Sequence, residues 1–350
     1  MPRYTVVVSQ AQSQNPKKRA IEEAIVGALL GERGVDVTVA PHLYDLKGDS
    51  PEVIGLQSLA SDLIVCSWLY PRAARWTLDR HGVGGREGET LVPAYGESED
   101  EEDAEEPAAD DKQRVADARP APSRTIYCLD LRTHDSAEPY LAEVRRIVAE
   151  GSVQTVTLGG LSSSGSTKTS PAGAPPGNAA PLDEQPILNH QPSTTTAPQR
   201  RWYPVIDYSR CTNCMECIDF CLFGVYGLDA QETLLVEQPD NCRKGCPACS
   251  RVCPENAIIF PQHKTPTIAG SPEVGGPMKI DLSKLFGAPD PGVPGADKAV
   301  DVAVRERDEQ LLKAGRELVG DAVGVRRHER STKPKDELDS LIDELDAIDL

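Results

Sequence analysis

Eight cysteines crowded into one short stretch constrain this chain more than any other feature. The chain has 350 residues and ten cysteines, and eight of these lie between Cys211 and Cys253. A disulfide framework spreads its cysteines across a small secreted domain, so this crowding points to metal binding instead. In a reducing compartment the thiols stay available as thiolate ligands. The other two, Cys66 and Cys128, lie within apolar strand-like runs, where a buried small hydrophobic residue is the expected role.

The eight cysteines form two similar motifs. The first, Cys211–Cys221, has the spacing C-x2-C-x2-C-x3-C, and the second, Cys242–Cys253, has the spacing C-x3-C-x2-C-x3-C followed by proline. Three cysteines on a tight loop reach three irons of a cubane, whereas the fourth, beyond a longer gap, points away. A strand-like segment precedes each motif, at 202–207 and at 233–237, and an apolar helical turn follows each. The region is therefore an internal repeat.

The double motif resembles the bacterial-type ferredoxin domain with two [4Fe-4S] clusters, over about residues 200 to 262. The resemblance implies cross-ligation, in which each motif lends its last cysteine to the other cluster. One implied ligand set is Cys211, Cys214, Cys217 and Cys253, and the other is Cys221, Cys242, Cys246 and Cys249. Two [4Fe-4S] clusters are the cofactors that the resemblance implies.

Two positions depart from the family pattern. Leu222 stands where the family usually has proline, and the second motif opens with one extra residue. Gly245 is the expected place for a bulge that absorbs this residue, because glycine adopts backbone conformations that other residues avoid. Apolar neighbours shield such clusters from water. The candidates for this role are Ile206, Ile218, Phe220, Leu222, Phe223, Val225, Val252, Ile258 and Ile259.

Residues 1 to 150 alternate strand and helix patterns, which predict a small, mostly parallel α/β sheet. The expected strands are Tyr4–Val8, Val35–Ala40, Leu63–Cys66 and Thr125–Leu131. Helices are expected from Pro16 after an N-cap at Asn15, from Pro71 to Arg80, and from Tyr140 to Glu150. Within this domain, residues 97–111 carry ten acidic residues and no basic one, which predicts a disordered insertion.

The rest of the chain predicts linkers around the cysteine-rich domain. Residues 151–199 are rich in Gly, Ser, Thr and Pro and predict a flexible linker. A coil of about fifty residues reaches about 40 Å, so the two folded parts are expected to move nearly independently. An α+β ferredoxin-like domain is assigned to residues 200–265, and an irregular segment with helical regions to 266–350.

Two helical patterns fall in this last segment. A helix is expected over residues 297–318, and an acidic amphipathic helix near the end of the chain invites a protein partner. The apolar stripe of that second helix consists of Leu338, Leu341, Ile342, Leu345 and Ile348.

Charge and hydropathy argue against several classes of protein. The net charge of −18 repels nucleic-acid phosphates and anionic membrane surfaces, so neither is an expected partner. No apolar run is long enough for a membrane helix, and the N-terminus has no signal-peptide core. The sequence therefore predicts a cytoplasmic protein.

The leading hypothesis is an electron carrier rather than an enzyme, with an α/β half that docks or regulates redox partner proteins. The alternative is a multidomain oxidoreductase whose α/β half is catalytic and is fed by the ferredoxin module. A flavin would then lie at the Ser9–Asn15 loop, where α/β folds bind phosphate. Two further alternatives are a pair of zinc sites, although zinc ribbons normally pair two CxxC knuckles, and clusters that serve only to hold the fold.

Overall fold

A computed structural model describes residues 4–96, 112–120, 122–153, 200–272 and 296–320. The predicted acidic insertion, all but the first three residues of the predicted linker and the apolar stripe near the C-terminus lie outside these ranges. Within them, no helix has both the length and the apolar character needed to cross a bilayer.

The N-terminal half is a parallel five-stranded sheet. Its strands are β1 (Tyr4–Ser9), β2 (Val35–Ala40), β3 (Asp62–Ser67), β4 (Arg86–Glu87) and β5 (Thr125–Asp130), in the spatial order β2-β1-β3-β5-β4. All six residues of β1 are buried, as a central strand covered on both faces requires. The α/β prediction is confirmed for this half. The two exposed residues of β4 have no apolar pattern, so the sequence did not reveal that edge strand.

Four helices accompany the sheet: α1 (Pro16–Leu29), α2 (Pro51–Ser58), α3 (Pro71–Arg80) and α4 (Glu138–Val153). Helix α1 begins as predicted, because the Asn15 side chain accepts a hydrogen bond from the Lys17 backbone N–H and Pro16 needs no such partner. The sequence did not predict α2. It buries only Val53 and Leu56, too few apolar positions to establish a helical period.

The cysteine-rich region is built from very short elements. They are β6 (Val205–Ile206), α5 (Glu216–Phe220), β7 (Tyr226–Leu228), β8 (Leu234–Val236), α6 (Ala248–Val252), β9 (Ile258–Ile259) and α7 (Pro266–Ala269). Strand β6 pairs antiparallel with β9, and β7 pairs antiparallel with β8. Ladders of two or three residues are not stable alone in water. Other interactions must hold this region together.

Helix α8 (Ala296–Lys313) lies outside the two cysteine motifs but packs on them. It contacts α6, and Ala303 lies in one apolar cluster with Phe220, Cys246 and Val252. The sequence predicted a helix here but gave no indication of what it covers.

The expectation that the two halves move independently is wrong. Tyr44 of the α/β half stacks on Tyr203, with ring centroids 4.3 Å apart, and its hydroxyl accepts a hydrogen bond from the Tyr203 N–H at 2.7 Å. One apolar core runs through both halves. Linker length limits how far two halves can separate but does not determine whether their surfaces match, so the sequence could not reveal this interface.

Polar contacts fix the same interface. The Arg72 guanidinium on α3 donates to Asp207 Oδ2 and to the Asn256 carbonyl oxygen, each at 2.5 Å. In the segment 112–120, the Val115 N–H donates to the Cys211 carbonyl oxygen at 2.8 Å. The segment 112–120 of the α/β half therefore lies along the first cysteine loop.

Candidate metal centre

The eight cysteines line two cavities. Cavity 1 is lined by Cys211, Cys214, Cys217 and Cys253. Cavity 2 is lined by Cys221, Cys242, Cys246 and Cys249. Each cavity takes three cysteines from one motif and the last cysteine of the other, the same partition as the ligand sets implied by the sequence resemblance. Metal ligation by these sets stays a prediction.

Left-handed backbone at two positions curls the first loop around cavity 1. Asn213 has φ 59° and Met215 has φ 65°. The Asn213 side chain fixes this turn, because its Oδ1 accepts from the Leu234 N–H and its Nδ2 donates to the Glu232 carbonyl oxygen, both at 2.9 Å. Left-handed backbone at Met215 costs about 1–3 kcal/mol, and such strain is concentrated at functional sites.

The second loop contains a glycine with left-handed backbone between Cys242 and Cys246. Gly245 is exposed, with φ 84°, a conformation that costs glycine little. The residue therefore has the conformation expected for a bulge between Cys242 and Cys246. The loop then turns into α6, which carries Cys249 and ends next to Cys253.

Hydrogen-bond donors point at the sulfurs. The Ala257 N–H donates to Cys253 Sγ at 3.2 Å, and the Tyr226 hydroxyl donates to Cys249 Sγ at 3.1 Å. Nearby backbone N–H groups lower the pKa of the Cys211, Cys221 and Cys246 thiols, against the larger effect of burial. Donors of this kind stabilise a thiolate and lower the charge density on sulfur.

Burial makes these thiolates costly without a metal. Desolvation raises the pKa of Cys246 and of Cys253 to about 11 each. It raises the pKa of Cys217 further, because the neighbouring Cys253 and Cys211 add repulsion between like charges. Four thiolates therefore coexist in one cavity only if a cationic centre compensates their charge. The donor set fits a thiolate-bound metal cluster.

The residues predicted as an apolar shield are buried or partly buried, and four of the nine line the cavities. Ile206, Phe220, Val225, Val252, Ile258 and Ile259 are buried, and Ile218, Leu222 and Phe223 are partly buried. Phe220, Phe223 and Val225 line cavity 2, and Ile258 lines cavity 1. These side chains keep water from the sulfurs and lower the local dielectric constant.

The Ser9–Asn15 loop uses its polar groups within the chain. Ser9 Oγ accepts from the Leu43 N–H at 3.1 Å, and Gln12 Nε2 donates to Asp45 Oδ2 at 2.6 Å. The Ala11 N–H donates to Glu22 Oε1 at 2.7 Å, so a carboxylate of the chain already satisfies this backbone donor. The loop gives the flavin hypothesis no support.

Sequence reasoning missed two residues at cavity 2. Tyr226 on β7 donates to Cys249 Sγ, and Arg307 on α8 lines the cavity from outside the motifs. No spacing rule relates either residue to the cysteines, so only the tertiary structure reveals them. The lone cysteines behave as predicted: Cys66 and Cys128 are buried in β3 and β5.

Comparison with known proteins identifies part of the chain. Over 67 residues the chain is 54% identical to a protein of Methanocaldococcus jannaschii described as an uncharacterized ferredoxin. The match covers 19% of this chain and 44% of that protein, so the chain spans less than half of the relative's length. No family model matches, and no solved structure matches. A ferredoxin-type region is therefore part of this chain.

Proposed function

We propose that this chain is an iron–sulfur electron carrier whose cysteine-rich region holds two [4Fe-4S] clusters. The observation that carries the proposal is the cross-motif partition of eight cysteines around two cavities. The similarity to a ferredoxin supports an iron–sulfur electron-transfer role in general. The number of clusters and the ligand sets belong to the proposal.

The chemistry supplied by such clusters is reversible one-electron transfer, with no bond made or broken in a substrate. The chain's own residues prepare the sites for it. The two curled loops fix the sulfur positions, and the buried aliphatic and aromatic side chains exclude water. Tyr226 and the backbone N–H groups donate to cysteine sulfur, which limits reorganisation when the charge of the site changes.

The spread of the cysteines favours a cluster over a single zinc ion. Tetrahedral zinc draws four sulfurs to within about 2.3 Å of one point. Among the described residues, no group of three or more His, Cys, Asp or Glu side chains converges closely enough to hold one metal ion. The eight cysteines, all described, instead line the walls of two cavities.

The α/β half is proposed to help in docking or regulating a redox partner protein. It shares a core with the cysteine-rich region, so both halves would present one rigid surface to a partner. Next to cavity 2, Arg243 and Lys244 are exposed on an otherwise strongly acidic protein. This basic loop suits an acidic surface on the partner.

Metal and sulfide analysis tests the proposal. We expect the anaerobically purified chain to be brown and to contain about eight irons and eight acid-labile sulfides, because two cubanes hold four of each. The absorption spectrum should bleach partly on reduction and recover on reoxidation. A colourless protein, or stoichiometric zinc, would contradict the proposal. Intact clusters without a reversible redox wave in voltammetry would contradict the electron-carrier role and favour a purely structural one.

A further inference from the structure

The two cavities have different electrostatic surroundings. Arg307 lines cavity 2 and is 1% exposed, with its guanidinium 4.6 Å from the centroid of the Phe220 ring. The same cavity receives the Tyr226 hydroxyl at 3.1 Å from Cys249 Sγ. Cavity 1 has no basic side chain among the described residues that line it, and two of those residues are Glu216 and Glu255.

The position of Arg307 is fixed by contacts along α8. Its Nε donates to Asp308 Oδ1 at 3.0 Å, and its Nη2 donates to the Gly320 carbonyl oxygen at 2.5 Å. An ion pair between Arg251 and Glu306 at 2.8 Å holds α8 against α6. Asp308 offsets part of the guanidinium charge, but Asp308 does not line the cavity and Arg307 does.

The basic side chains near cavity 1 are paired with a carboxylate, and one of them, Arg114, is only 21% exposed. Glu255 forms ion pairs with Lys112 at 2.7 Å and with Arg114 at 2.8 Å. Lys112 is 56% exposed, so water and salt screen its charge. The exposed Arg243 beside cavity 2 is screened in the same way. The buried guanidinium of Arg307 is screened least, because the effective dielectric constant falls with burial.

Positive charge and hydrogen bonds to sulfur both favour the reduced state of a cluster, which carries one more negative charge. We infer that Arg307 and Tyr226 raise the reduction potential of a cluster in cavity 2 above that of a cluster in cavity 1. An electron that enters at the cavity 1 cluster then ends on the cavity 2 cluster. The inference rests on the proposed function. In this step a cluster held in cavity 1 would lose one electron and a cluster held in cavity 2 would gain it, and no proton would move and no bond would form or break.

A redox titration of the anaerobic full-length holoprotein, followed by EPR, tests this order. We expect two midpoint potentials. Arg307→Gln should make reduction of the higher-potential site at least about tenfold less favourable, which is a shift of about 59 mV for a one-electron couple. Tyr226→Phe should lower the same potential by less than Arg307→Gln does. Arg307→Lys keeps the positive charge, so its potential should stay close to that of the wild type.

Arg305 provides the matched control, since it lies exposed on the same helix. Arg305→Gln changes the net charge equally but should leave both potentials in place. Cys253→Ala removes a proposed ligand of the cluster in cavity 1, so the lower midpoint potential should disappear and the higher one should remain.

Three results would overturn the inference while two clusters remain: unchanged potentials, equal shifts at both sites, or a shift of the lower potential alone. Absence of iron and sulfide from the wild-type chain would instead overturn the proposed function, and this inference with it.

Discussion

Cys253→Ala is expected to remove the cluster from cavity 1, whose other three cysteines belong to the first motif. The iron content should fall from about eight to about four per chain. The reason is positional: Cys253 belongs to the second motif but lines cavity 1 with Cys211, Cys214 and Cys217. The three remaining thiols of that cavity cannot complete a four-thiolate site. Iron and sulfide analysis of the anaerobic protein measures the loss.

Paired substitutions identify which cysteines act together. Adding Cys214→Ala to Cys253→Ala should remove no further iron, because both residues line cavity 1. Adding Cys246→Ala should remove nearly all of it, because Cys246 lines cavity 2. Ligation within each motif predicts the opposite pattern. Cys66→Ala is the matched control, since Cys66 lies buried in β3, and it should keep about eight irons.

Arg72→Met should cost about 3 kcal/mol of unfolding free energy, because it leaves Asp207 as a buried charge without its main partner. Arg72 and Asp207 are 10% and 2% exposed, and they join the two halves at 2.5 Å. Arg210, at 3.7 Å, compensates the carboxylate only in part. For a folded unit of this size, the melting temperature should fall by roughly 6–12 °C.

Thermal unfolding of the holoprotein at one fixed scan rate measures this effect. Arg145→Gln is the control, since Arg145 pairs with Glu32 at 2.8 Å but is 51% exposed. Exposed pairs contribute at most about 1 kcal/mol, so this variant should melt within a few degrees of the wild type. Equal melting temperatures for the Arg72 and Arg145 variants would show that the Arg72–Asp207 pair adds no stability. Loss of the α/β sheet alone would show that the halves unfold separately.

Local sequence determined most, but not all, elements of the α/β half. The continuous apolar run of β1 and the Asn15–Pro16 start of α1 encode a strand and a helix by near-neighbour rules, so both were predictable. Helix α2 and strand β4 were not, because the few apolar positions of α2 and the exposed pair in β4 have no readable period.

Sequence by itself predicted how the eight cysteines divide into two sets of four, and the two cavities show the same division. It also predicted Gly245 as the place of a bulge in the second motif, and Gly245 has the left-handed backbone that glycine adopts at low cost. Tertiary structure decided everything that depends on contact between distant segments. The Tyr44–Tyr203 stack, the buried Arg307 and the Tyr226 hydroxyl bond join residues whose separation along the chain leaves no pattern. Contacts of this kind form between complementary surfaces of separate elements, and those surfaces are assembled only when the chain folds.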